Sequence, residues 1–133
     1  MLRKDYIQRQ FEQFGKMLAS LLSKKLNKDY EAFEKEMAEA VKKFTDFEVL
    51  ELENFSLEAF IQKINSSNLE FDQKKILANL LFEKMNYYLE IGKQDDYKNL
   101  KQKSLFLYEI ITSDLTQNEF DLEANYRLAQ LKK

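Results

Sequence analysis

Residues 69–113 read LEFDQKKILANLLFEKMNYYLEIGKQDDYKNLKQKSLFLYEIITS. Ile76, Leu77, Leu80, Leu81, Met85, Tyr88 and Leu89 recur at threes and fours, the spacing of one wide helical face. Gly92 follows, and glycine suits the left-handed position that ends a helix. Asp95 or Asp96 is then placed to cap a second helix, on which Tyr97, Leu100, Ser104, Leu107 and Ile111 are spaced 3, 4, 3 and 4. Two helices joined by so short a turn are antiparallel neighbours, an αα-hairpin.

The same pattern extends outward in both directions. Upstream, Asn65-Ser66-Ser67-Asn68 breaks the chain, and Ser67 with Glu70 fits a capping box opening the long helix. Ser56 caps a short helix that carries Leu57, Phe60, Ile61 and Ile64. Residues 46–56 alternate apolar and acidic for part of their length. A lone strand has no partner elsewhere in the chain, so they read as an irregular or short helical link. Downstream, Thr116 with Glu119 forms another capping box for a last helix whose stripe is Phe120, Ala124, Leu128 and Leu131, closed by Lys132 and Lys133. With no Pro and two Gly in 133 residues, the turn chemistry that a sheet protein needs is missing. The expected fold is one all-α domain of antiparallel helical hairpins, five longer helices and one short one. Its segments are 1–28, 29–47 and 56–133.

The N-terminal third carries the charge signal. Residues 1–28 hold a net +5, residues 29–62 a net −7, and the remainder balances, so an overall −2 conceals two opposed segments. Residues 1–28 form a basic amphipathic helix with Ile7, Phe11, Phe14, Leu18 and Leu21 spaced 4, 3, 4 and 3, and Tyr6, Met17 and Leu22 widening the stripe. An interior Gly15 costs about 1 kcal/mol relative to Ala and is expected to admit the close approach of another backbone. Asp29 caps an acidic helix in which Tyr30, Phe33, Met37, Ala40, Phe44 and Phe47 repeat with the same period. Opposite charge and a short connection predict that these helices pair, within the chain or between two copies.

Composition excludes several functions. Without Cys there are no disulfides, thiolate metal sites or cysteine nucleophiles, and without His the usual general base and commonest metal ligand are missing. The carboxylate pairs Glu31/Glu34 and Glu36/Glu39 lie mostly off the apolar stripe and read as a solvated face rather than a metal or acid–base site. Of 21 basic residues only Arg3, Arg9 and Arg127 are Arg, which argues against nucleic acid as a partner. The longest apolar run is too short for a signal-peptide core or a membrane span, so a cytoplasmic location is expected. The 11 Phe and 7 Tyr fall mainly on the stripes and read as core, with Tyr87 and Tyr108 as exceptions open to an interface.

The stretch Asp5-Tyr6-Ile7-Gln8-Arg9-Gln10-Phe11-Glu12-Gln13-Phe14, continuing to Leu18-Ala19-Ser20-Leu21-Leu22, resembles the opening of a family of short, functionally uncharacterised bacterial proteins. The segment Leu81…Tyr88…Gly92…Ser104-Leu105 is similar to a tetratricopeptide hairpin, with Tyr97 departing from the small residue usual at its position. The resemblance implies a partly tetratricopeptide-like fold and carries no functional residues.

These readings converge on a non-catalytic interaction or scaffold protein, without cofactor or metal. It is expected to self-associate as a dimer through Ile7, Phe11, Phe14, Leu18, Leu21 and Leu22, with docking of the basic helix on another protein as an alternative. The competing reading is a peripheral membrane-surface binder using the same basic helix.

Overall fold

The computed structural model describes the backbone of residues 2–114 and 121–133, and the side chains of these except residues 2–5 and 7. The capping box expected at Thr116 and Glu119, and Phe120, lie outside the described residues. Among the described residues there are seven helices and no strand: α1 (Leu2–Leu26), α2 (Tyr30–Thr45), α3 (Val49–Asn54), α4 (Leu57–Ser66), α5 (Phe71–Glu90), α6 (Gln94–Ser113) and α7 (Leu122–Leu131). The fold is all-α. The count exceeds the expected six because the acidic link condenses into α3. Val49 and Leu52, one helical turn apart, are both buried there, and that spacing prevails over the partial alternation around it.

Contacts cluster into two compact units, Met1–Leu52 and Glu53–Lys133. In the first, α1 and α2 form an antiparallel hairpin over a three-residue turn. Lys28 takes the left-handed conformation (φ 59°), and the amides of Lys28 and Asp29 bond back to the carbonyls of Lys25 and Lys24 at 3.0 and 2.8 Å. Asp29 then caps α2 by accepting from the Ala32 amide. Phe14, Leu21, Phe33, Met37, Ala40, Val41 and Phe44 are buried, and Phe14 meets Phe44 edge to face at 5.9 Å. Side chains of this size contribute roughly 1.5–3 kcal/mol each when fully buried.

In the second unit α6 is the hub, packed against α4, α5 and α7. Ile76, Leu77, Leu80, Leu81, Met85, Tyr87 and Tyr88 of α5 are buried, so this helix is covered on most of its circumference, while Leu89 at its end is exposed. Helix α5 ends in a two-bond left-handed turn: Gly92 has φ 82°, its amide bonds the Leu89 carbonyl, and the Lys93 amide bonds the Tyr88 carbonyl.

Two expected caps are corrected. Ser67 closes α4 rather than opening α5: its hydroxyl donates to the Ile64 carbonyl at 2.6 Å, and the box moves to Glu70, whose amide donates to Gln73 at 2.9 Å. Helix α6 begins at Gln94, so Asp95 and Asp96 sit inside its first turn, where carboxylates favour the positive end of the macrodipole instead of capping it.

Candidate interaction surface

The basic and acidic helices meet within one chain. Lys24 of α1 pairs with Glu36 of α2, and Ser20 donates to the same carboxylate at 3.1 Å. This places part of the expected interface in the interior: Phe14 is 6% exposed and Leu21 fully buried. Phe11 and Leu18 are half-buried, Leu22 is 39% exposed, and the Ile7 side chain lies outside the described residues. Gly15 is exposed, and a Cβ placed on it would meet nothing within 4 Å. The close backbone approach expected at Gly15 is therefore absent among the described residues of the chain.

Two sides of α1 carry exposed residues. One carries Phe11, Gly15, Leu18 and Leu22 at spacings of 4, 3 and 4, continued by Leu26, which is 82% exposed. The other borders a groove of about 320 Å³ lined by Tyr6, Arg9, Gln10 and Gln13 of α1 with Lys43 and Phe44 of α2. Gln10 donates to the Tyr6 hydroxyl at 2.9 Å, and the Lys43 ammonium lies 5.8 Å from the Phe44 ring centroid. Sequence reasoning missed this groove. Its signal was the spacing of Tyr6, Gln10 and Gln13 by four and three, a polar stripe beside the apolar one.

The chain's most unusual polar cluster is sealed. Lys84 of α5 pairs with Glu53, the Tyr88 hydroxyl donates to the other oxygen of the same carboxylate, and Asn99 donates to the Glu53 carbonyl at 2.8 Å. Lys103 of α6, with no exposed surface, donates to the carbonyls of Glu53 and Phe55 at 2.9 and 2.7 Å, which otherwise lack helical partners at the end of α3. Burial pulls the Lys103 ammonium below its ordinary pKa, against the pull of Glu53 in the opposite direction. Amine and carboxylate are occupied by the protein itself, so the cluster fastens the end of α3 to α5 and α6. It offers nothing to a substrate.

A second network docks α7. The Arg127 guanidinium bonds Asn79 at 2.7 Å and Tyr108 at 2.9 Å, stacks 4.5 Å from the Phe82 ring and pairs with Glu123. Tyr108 donates to Asn79 at 2.6 Å. Tyr87 and Tyr108, anticipated as interface candidates, are 2% and 1% exposed and belong to the core. Among the described residues no group of carboxylates could hold a metal ion, and no helix is long and apolar enough to cross a membrane. Comparison with known protein families, curated proteins and solved structures finds no match.

Proposed function

We propose that the protein is a non-catalytic interaction protein that self-associates as a dimer through the outer side of α1. The observation that carries this reading is the run Phe11, Gly15, Leu18, Leu22 and Leu26, an apolar face interrupted by a glycine whose surroundings are open. A mid-helix glycine weakens its own helix, and a second helix crossing at that point gives it a purpose, since ridges then approach closely. The likeness of residues 5–22 to short bacterial proteins, and of α5–α6 to a tetratricopeptide hairpin, belongs to the same proposal. Buried Ser104 and left-handed Gly92 support the latter.

The test is the native mass of the full chain, expected at twice 16.0 kDa, beside that of Leu22→Asp, expected at one. Leu22 is exposed enough for the substitution to leave the fold intact. A wild-type chain that stays monomeric and instead sediments with anionic vesicles overturns the reading in favour of a lipid surface.

A further inference from the structure

The opposition of charge in the first half of the chain is only partly neutralised within the first unit. Lys24 meets Glu36, and Lys42 meets Asp46 and Glu48. Among the described residues Arg9, Lys16 and Lys43 form no ion pair, and neither do the exposed Glu31, Glu34, Glu39 and Glu51. Two of these cations, Arg9 and Lys43, line the groove together with Tyr6, Gln10, Gln13 and Phe44. At the start of α3, Leu50 is 63% exposed and stands between exposed Glu48 and Glu51.

We infer that the groove is a docking site for an acidic, leucine-bearing segment, and that its occupant is residues 48–51 of a second copy. Two cations beside an aromatic wall match two carboxylates beside an aliphatic side chain. The guanidinium and amides donate to carboxylate oxygens, and Leu50 covers the exposed Tyr6 ring. A second copy is favoured because each chain presents both halves of this complementarity: among the described residues Arg9, Lys43 and Glu51 form no ion pair, and Glu48 reaches only the exposed Lys42. The inference rests on the self-association proposed above but uses the other side of α1. Gln13 and Leu22, nine residues apart on a helix of 3.6 residues per turn, point in opposite directions.

Sedimentation of the full chain in about 50 mM and about 500 mM salt tests it, because a contact between exposed charges is screened over that range. Arg9→Glu with Lys43→Glu reverses the groove, and Glu48→Lys with Glu51→Lys reverses the segment. All four residues are exposed, and unchanged helical circular dichroism verifies the fold. Each double variant is expected to lose self-association at least tenfold at low salt, and an equal mixture of the two is expected to recover it. Self-association of both variants equal to wild type, or a mixture that does not recover, overturns the inference. If Leu22→Asp alone dissociates the protein, the apolar face stands and the groove contact falls. If the charge reversals alone do so, the groove stands and the apolar face falls.

Discussion

Lys84 and Glu53 form an ion pair in which the two side chains are 2% and 8% exposed. Thirty-one residues separate them in sequence, and the Tyr88 hydroxyl donates to the same carboxylate. Removing one member leaves the other buried and uncompensated, a loss that runs to roughly 3–5 kcal/mol for buried pairs. Lys84→Met is therefore expected to lower unfolding stability by about that amount in a urea titration. Lys84→Met combined with Glu53→Leu and Tyr88→Phe, which removes every charged and hydroxyl group of the contact, is expected to recover most of the loss.

Lys103 makes alkaline stability diagnostic. Its pKa is lowered by burial, so between that lowered value and the ordinary 10.5 the unfolded chain binds more protons than the folded one. Stability contributed by this residue therefore rises with pH through that interval. Below it, the cost of burying the charge applies in full. Tyr108 acts in the opposite sense above pH 10: burial raises its pKa, so the folded state holds a proton that the unfolded chain releases, and stability falls. The urea midpoint of wild type, followed from pH 8 to pH 10, is expected to rise relative to that of Lys103→Met; a constant difference between them would falsify the assignment.

How far the fold was legible follows from where each interaction's partners lie. The stripes Phe33, Met37, Ala40, Phe44 and Leu100, Ser104, Leu107, Ile111 are local patterns, and all eight residues are buried as their spacing implies. Asp29, Ser56 and Gly92 act on neighbours within a turn and were equally readable. Lys84 and Lys103 were not recognised, because lysine is ordinarily a surface residue and their partners lie 31 and 50 residues away. A signal existed all the same. Leu80, Leu81, Tyr87 and Tyr88 surround Lys84 at three and four residues, and Leu100, Phe106 and Leu107 do the same for Lys103. A charge inside an apolar stripe marks a long-range polar contact. The groove was missed for a different reason: it is a property of two helices together, and neither stripe alone encloses it.

Two helix ends take the same left-handed turn with different residues. Gly92 has φ 82° and Lys28 φ 59°. A side chain in this conformation costs about 1–2 kcal/mol, which glycine avoids. Gly92→Ala is expected to destabilise the second unit by about 1 kcal/mol although the added methyl meets nothing within 4 Å. Lys28→Gly is expected to stabilise the α1–α2 turn by a comparable amount. Thermal midpoints of the two variants, shifted in opposite directions, are the check.

Asp121 ties the start of α7 to α5 and sets the acid limit of that contact. Burial alone would push its carboxyl up, but the Lys75 ion pair at 2.8 Å, the Ala124 amide at 2.9 Å and the nearby Arg127 charge together hold it below the ordinary 3.8. A carboxyl depressed on folding contributes stability that is complete above about 3.8 and is lost as pH falls toward the folded value. Asp121→Asn is expected to lower stability at neutral pH and to flatten the acid limb below pH 4, measured as the pH dependence of the urea midpoint.

Gly15 separates the stability of a single chain from the stability of the assembly. It lies inside α1 with open space where an added methyl would stand, so in an isolated chain Gly15→Ala strengthens the helix by about 1 kcal/mol and obstructs nothing. In a pair joined across Phe11, Leu18 and Leu22 the same methyl stands where the partner backbone would come closest, and overpacking there costs typically about 1–3 kcal/mol. The two effects have opposite signs and distinct readouts. Helical content at a dilution where the protein is monomeric is expected to rise in Gly15→Ala, while the dissociation constant from sedimentation weakens by about tenfold, and further in Gly15→Leu. Variants that gain helicity and associate as tightly as wild type would show that the glycine faces water in the assembly as well. The partner would then have to be sought on another face of the chain.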